Sequence, residues 1–183
     1  MSLTNTQVET LFSATFGSSH NTHLVGGYDE PEYFPPSGTE SAKICYRFDY
    51  VQSALHEVAH WCVAGEARRQ LRDYGYWYCP DGRDELEQKA FFEVESRPQA
   101  LEWLFSYAAG VPFRPSLDNL SNGLSQIPES FVKALKKEAK IYLQQSKSSR
   151  AMEFLQALTS ANKNCNTGNS RLISLAEIDE AKF

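Results

Sequence analysis

The chain contains 183 residues, 42% of them hydrophobic, which is enough apolar sequence for one core of ordinary size. Its formal net charge of -5 argues against the basic surface that nucleic-acid binding requires, so we expect no direct nucleic-acid partner. We see neither an export signal nor a run of about eighteen apolar residues, so we expect a cytoplasmic protein that does not span a membrane. We predict one α+β domain over residues 1–183, with helices around a small sheet and a tail, residues 160–183, that could be mobile.

The first helix is predicted from a capping box that precedes apolar residues at helical spacing. Thr4 supplies the capping hydroxyl, and Gln7 completes the box three residues later. We predict that Gly17 ends this helix, because glycine is the usual residue at a helix C-terminus. A β-branched run at residues 22–25 then predicts a short strand.

A second strand leads into the next helix. Residues 43–50 alternate, with Ile44, Tyr46 and Phe48 on one face and two charged residues on the other. Alternation of this kind predicts a half-buried strand. The helix that follows is apolar nearly all round and ends near Gly65, which predicts a buried helix.

This buried helix carries the pattern H-E-x-x-H as His56, Glu57 and His60. Side chains four residues apart lie about 6 Å apart on one helix face, so the two imidazoles can bind one divalent metal ion. Glu57 lies beside them, where its carboxylate can reach a metal-bound water. The alternative is that both histidines are core residues that hydrogen-bond backbone carbonyls without a metal.

An aromatic stretch follows the helix. Residues 74–78 contain four aromatic side chains, and the turn sequence Pro-Asp-Gly comes directly after Cys79. The stretch is either a core strand with one aromatic face or a pocket wall beside the metal. In the second interpretation, Asp81, Arg83 and Asp84 are the polar anchors of the pocket. For a cationic substrate, Tyr76, Trp77 and Tyr78 would supply aromatic walls, and Asp81 or Asp84 the negative charge.

Two histidines do not hold a metal tightly, so a third ligand is required. The candidates are three later carboxylates, Glu93, Glu95 and Glu102. We choose Glu95, because its neighbours Phe92 and Val94 are apolar and a metal would offset the cost of placing a carboxylate among them. The alternative for Glu95 is an ordinary exposed position on a helix.

Further helices are predicted in the second half of the chain. We expect Pro98 to break the helical stretch that follows the aromatic residues, and residues 96–99 to cap a new helix. Amphipathic patterns predict one helix after Pro128 and another that is capped by Ser148 or Ser149.

A site with two histidines and one carboxylate leaves coordination positions open, which supports two different reactions. With Zn²⁺, Glu57 can act as a base toward bound water, as in hydrolysis. With Fe²⁺, the open positions accommodate O₂ and a substrate, as in oxygenation. The pattern H-E-x-x-H does not decide between them, and intrinsic affinity slightly favours zinc.

Residues 55–65 and 74–84 together resemble the bacterial elongation factor P hydroxylase family. The likeness covers roughly residues 5 to 120 and continues in the same order through Val94-Glu95 and residues 98–101, 108–110 and 118–120. The resemblance implies hydroxylation of the elongation factor P lysine that already carries a β-lysyl extension, by an iron-type oxygenase. It implies His56, His60 and Glu95 as metal ligands, with Glu57 orienting an imidazole or passing a proton.

Two other hypotheses remain open at this point. One is a zinc metallopeptidase, for which Glu57 would be the indispensable base. The other is a binding module with a structural metal, although structural zinc sites usually have four protein ligands. The hydroxylase hypothesis makes elongation factor P the partner and Fe²⁺ the expected metal, with Zn²⁺ as the alternative.

Overall fold

The computed structural model describes residues 2–75, 83–117, 127–144, 149–165 and 172–183. Helices dominate this part of the chain and surround a three-stranded sheet, so the predicted α+β fold is confirmed. The main helices are α1 (Asn5–Phe12), α2 (Val51–Val63), α3 (Glu85–Ala109), α4 (Glu129–Gln144), α5 (Arg150–Cys165) and α6 (Leu175–Glu180). The strands are β1 (Thr22–Tyr28), β2 (Glu32–Phe34) and β3 (Ala42–Arg47). Among these described helices, none has the length and apolar character needed to cross a bilayer.

β3 is the central strand of the sheet. It pairs in parallel with β1, where Leu24 lies opposite Ile44, and antiparallel with β2, where Tyr33 lies opposite Ile44. The successive residues Ile44, Cys45 and Tyr46 are all buried, because the helix α2 and the neighbouring strands cover the central strand. The predicted half-buried alternation is therefore wrong for this strand.

The strand ends at Arg47, so the prediction that Phe48 lies on its buried face is wrong. Phe48 is 39% exposed and has a φ of 46°, a left-handed conformation that is strained for an aromatic residue. Backbone hydrogen bonds hold this corner: the Phe48 N–H donates to the Tyr28 carbonyl, and the Phe48 carbonyl accepts from the Gly27 N–H. The corner turns the chain directly from β3 into α2.

The start of α1 is confirmed and its predicted end is wrong. Thr4 and Gln7 form both hydrogen bonds of the capping box. The chain remains helical through Gly17 and leaves the helical path at Asn21, whose φ is 46°. Glycine permits a helix end without imposing one, and burial of Phe16 in the core holds the extra turns in place.

α2 is fixed at both ends by side-chain hydrogen bonds. At its start, the backbone N–H of Arg47 donates to Oγ of Ser53 at 2.9 Å. At its end, the Arg150 guanidinium from α5 donates to the carbonyls of Trp61, Cys62 and Ala64 at 3.1, 3.2 and 2.7 Å. These carbonyls are among those that a helix terminus leaves without intrahelical partners, so Arg150 completes the end of α2.

α3 is one continuous helix, and the predicted break at Pro98 is wrong. Asp84 caps its start by accepting from the Glu87 N–H at 2.9 Å, and Gly110 ends it with a φ of 71°. A proline inside a helix removes one hydrogen bond and costs about 3 kcal/mol. The turns on both sides of Pro98 are buried against α2, α4 and α5, and this packing outweighs the local cost.

The carboxyl-terminal helices pack on α3 and on each other. α4 begins directly after Pro128, and Ser149 caps α5 by accepting from the Met152 N–H, so both predicted starts are confirmed. α6 packs on α4, where Ile178 is fully buried. The predicted single domain and the predicted mobility of residues 160–183 stay predictions.

Candidate metal site

Three predicted ligands converge where α2 packs on α3, and we call them the ligand cluster: His56, His60 and Glu95. One ligand atom from each residue lies within 4.8 Å of the other two. The Nε2 atoms of His56 and His60 are 3.1 Å apart. Nε2 of His60 is 3.3 Å from Oε1 of Glu95, and Nε2 of His56 is 3.8 Å from Oε2. The imidazole nitrogens and the carboxylate oxygens therefore face a common point.

A bound cation would stabilise the close approach of the side chains in the ligand cluster. Imidazole nitrogens without a proton are acceptors, so two of them at 3.1 Å repel each other unless a proton or a metal ion lies between them. Glu95 is only 1% exposed, and its Oε1 accepts no hydrogen bond. An ionised carboxylate is costly to bury unless it is paired. Because two imidazoles and one carboxylate are a donor set for Zn²⁺ and non-haem Fe²⁺, these residues fit a divalent metal.

Glu102 is the hydrogen-bond partner of the other nitrogen of His56. Its Oε2 lies 2.8 Å from Nδ1 of His56, a short charge-assisted contact. The contact fixes the imidazole so that Nε2 faces the ligand cluster. Of the three carboxylates considered from the sequence, Glu95 joins the cluster, Glu102 orients a histidine and Glu93 is exposed.

Gln99 is a buried residue that binds a member of the ligand cluster and that we did not predict from the sequence. Its Nε2 donates to Oε2 of Glu95 at 3.3 Å and to the carbonyl of Ser116 at 3.0 Å. Its Oε1 accepts from the Ser116 N–H at 2.9 Å. Gln99 thus ties the Glu95 carboxylate to the segment after α3. Its position one turn after Glu95 was a usable signal, but only for a helix that continues past Pro98.

The electrostatics of the site favour a bound cation. Burial alone would raise the pKa of Glu95, but His60, His56 and Gln99 outweigh it and lower that pKa to about 2. Burial alone would lower the pKa of His56, but Glu102, Glu95 and Glu57 raise it to about 10. Burial also raises the pKa of Glu57. The buried Glu95 carboxylate thus stays ionised, which a ligand of a metal ion must be.

The ligand cluster lines a cavity of about 610 Å³, a size typical of ligand pockets. Its inner end contains the cluster together with Glu57 and Glu102, and Tyr74 forms part of the wall. The Tyr74 ring is parallel to that of His60 at a centroid distance of 6.5 Å. The outer edge of the cavity consists of exposed lining residues, namely Glu30, Pro31, Arg47, Gln52, Arg114 and Ser116.

The predicted substrate contacts fall mostly where the structure gives no description. Tyr76, Trp77, Tyr78 and Asp81 lie outside the described residues. Asp84 is exposed, serves as the cap of α3 and is not among the described residues that line the cavity. The substrate-binding role of all five residues stays a prediction.

The fold and the site together define a class: an α+β protein in which two histidines and one carboxylate meet at the inner end of a cavity. The profile of the family described as Elongation factor P hydroxylase matches residues 11–170. A protein of Haemophilus influenzae named Elongation factor P lysine hydroxylase is 44% identical over 149 residues, which are 81% of this chain and 83% of that protein. The chain belongs to the elongation factor P hydroxylase family, as the resemblance in the sequence implied. Family membership and the buried cluster together indicate a metal site, and neither supports the metallopeptidase alternative.

Proposed function

We propose that this protein hydroxylates a lysine side chain of elongation factor P, namely the lysine that carries a β-lysyl extension, with Fe²⁺ as the metal. The observation that carries the proposal is the buried cluster of His56, His60 and Glu95 in a chain of this family. Elongation factor P is then the protein partner, and the cytoplasm, where translation takes place, is the expected compartment.

In this proposal His56, His60 and Glu95 hold the metal and leave other coordination positions free. Bound Fe²⁺ would supply the activation of O₂ that insertion of oxygen into a C–H bond requires. Zn²⁺ would bind the same donors more tightly, but it has no redox chemistry. The assignment to iron therefore follows from the proposed reaction, because the donor set accepts both metals.

Glu102 and Gln99 hold the ligands in place in this proposal. Glu102 accepts from Nδ1 of His56, so that the proton is on Nδ1 and the lone pair of Nε2 is available to the metal. Gln99 holds one oxygen of Glu95 and leaves the other, Oε1, without a hydrogen bond. Both contacts lower the reorganisation needed when a metal binds.

We propose that Glu57 has a role other than orienting His56. The role of orienting His56 belongs to Glu102, because Glu102 and not Glu57 makes the hydrogen bond to its ring. Glu57 lines the cavity beside the ligand cluster, and burial raises its pKa. We assign it to proton transfer at the inner end of the cavity, a role that a carboxyl group with a raised pKa suits.

The test is a mass measurement of β-lysylated elongation factor P after incubation with the protein, Fe²⁺ and O₂. One oxygen atom of O₂ enters the product. In one reaction ascorbate supplies the two electrons that reduce the other atom to water, and in a parallel reaction 2-oxoglutarate takes up the other atom as it is converted to succinate and CO₂. We expect a gain of one oxygen on the modified lysine. His60→Ala is the negative control. Absence of the gain in both reactions, with folded and metal-loaded protein, would contradict the proposal.

A further inference from the structure

Two arginines differ from all the others in the described part of the chain. The structure describes Arg47, Arg68, Arg69, Arg72, Arg83, Arg97, Arg114 and Arg150. Six of them donate to backbone or side-chain acceptors or pair with a carboxylate of this chain. Neither the Arg47 nor the Arg114 guanidinium makes a hydrogen bond or an ion pair with a described residue, and both line the cavity that contains the ligand cluster.

The position of these two charges is unexpected beside an acidic site. The inner end of the cavity holds Glu57, Glu95 and Glu102, which suit a metal ion and a cationic lysine side chain. Positive charges at the outer edge repel both. Arg47 and Arg114 therefore suit a different part of the substrate, one that carries acceptors and stays outside the cavity.

The substrate of the proposed reaction provides such a part. An extended lysine side chain is about 6 Å long and the β-lysyl extension roughly doubles this length, so the folded protein that carries it stays at the outer edge while the side chain enters the cavity. The whole chain carries a net charge of -5, so an acidic partner would be repelled overall. Two guanidinium groups that no described residue neutralises offer local positive charge to carboxylates on such a partner.

The backbone next to both arginines is held in place by hydrogen bonds and stacking within this chain. Arg47 precedes the corner at Phe48, and its own N–H donates to Ser53. Arg114 lies between Phe113, which stacks on Trp103 at 6.2 Å, and Ser116, which Gln99 binds through two hydrogen bonds. Holding a binding group in place before the partner arrives reduces the entropy lost on association.

We propose that Arg47 and Arg114 dock the substrate protein by binding carboxylates on its folded surface beside the modified lysine. The proposal rests on the proposed function, since it takes elongation factor P as the partner. A small organic acid would use the same guanidinium chemistry. The exposure of both arginines favours a protein surface, because a clamp for a small reactant would be buried next to the metal ligands.

The test compares the double variant Arg47→Glu/Arg114→Glu with Lys137→Glu, a charge reversal at an exposed position on α4 outside the described cavity lining. The dissociation constant for β-lysylated elongation factor P is measured at low and moderate salt, together with KM and kcat. We expect the double variant to weaken binding by about tenfold or more and to raise KM much more than it lowers kcat. The control should stay within about twofold of the parent, and the salt dependence of binding should shrink only in the double variant.

Circular dichroism and metal content show whether the variant is folded with an intact ligand cluster, and Arg47→Gln/Arg114→Gln replaces it if it is not. Unchanged binding in a folded variant overturns the docking role. A fall in kcat with unchanged binding of the substrate protein also overturns it and points to a small-anion site. A parent protein that binds elongation factor P without hydroxylating it contradicts the proposed function and leaves the docking role standing.

Discussion

The inner end of the cavity and its outer edge are built by different means. The inner end rests on two helices, and its side chains are placed by helical spacing: four residues from His56 to His60 on α2, and seven from Glu95 to Glu102 on α3. The outer edge comes mostly from the loop between β1 and β2, the end of β3 and the segment after α3, with Gln52 from the first turn of α2. Hydrogen bonds hold the backbone at the corner after β3, and stacking holds it after α3. The comparison suggests that the helices supply the chemistry, while the irregular segments select the substrate.

Removal of a proposed metal ligand should have the largest effect at the inner end. His60→Ala should abolish hydroxylation and lower the affinity for metal by at least about 100-fold, while the helix tolerates alanine well. Metal content after dialysis and the hydroxylation assay measure both effects. His23→Ala, an exposed histidine on β1, is the matched control. Full retention of metal in His60→Ala would remove His60 from the proposed ligands.

The third ligand is tested by a pair of substitutions on one helix. Glu95→Gln keeps the size of the side chain but loses its charge, so we expect metal binding and hydroxylation to fall nearly as far as in His60→Ala. Glu93→Gln should leave both unchanged, because Glu93 is exposed on a different side of α3. If Glu95→Gln binds metal as tightly as the parent does, another carboxylate must complete the site.

A smaller effect is expected from the residue that orients His56. Glu102→Gln should weaken metal binding by roughly 10- to 100-fold, the usual cost of losing a carboxylate partner of a ligating histidine. Competition with a chelator measures this change. Glu85→Gln, an exposed position in the first turn of α3, is the control. If Glu102→Gln and the parent protein lose metal to the chelator equally, the hydrogen bond between Glu102 and His56 does not contribute to metal binding.

The smallest effect at the inner end is expected from Glu57→Gln, which also separates two classes of enzyme. Hydroxylation should decrease by about tenfold and metal should stay bound, because no metal-bound water has to be deprotonated in an oxygenase. In a peptidase the same substitution would abolish cleavage. We expect the parent protein to cleave no general peptide substrate. Zinc-dependent proteolysis that disappears in Glu57→Gln would show that the protein is a peptidase and would contradict its assignment as a hydroxylase.

Much of the inner end could be predicted because it depends on local spacing. The i, i+4 histidine pair follows from helix geometry, and a carboxylate among apolar residues indicated that Glu95 is buried. The roles of Glu102 and Gln99 were missed because we expected Pro98 to break α3. Once α3 is continuous, Glu95, Gln99 and Glu102 lie on one helix face, and the packing that keeps it continuous is tertiary and invisible in local sequence.

The outer edge was harder to predict because it depends on contacts between distant segments. We placed Phe48 on a buried strand face, whereas hydrogen bonds to Gly27 and Tyr28 turn it outward. The burial of Cys45 likewise depends on the central position of β3 in the sheet, which alternation in one strand does not reveal. Nothing in the sequence distinguishes Arg47 and Arg114 from the arginines that this chain neutralises itself.

Arg150 limits how far the chain can be shortened from its carboxyl end without disturbing the ligand cluster. α5 contributes no residue to the ligand cluster. We recognised the likeness in the sequence only to about residue 120, whereas the family match extends to residue 170 and includes α5. A protein truncated after α4 would still contain His56, His60 and Glu95. The carbonyls of Trp61 and Cys62 would lose their Arg150 donor, while Ala64 would keep only its hydrogen bond from Arg69, and the turn next to His60 would fray. The helix that carries both histidines is thus anchored by a residue almost 90 positions downstream of its last turn. A shortened version of this enzyme should therefore retain α5.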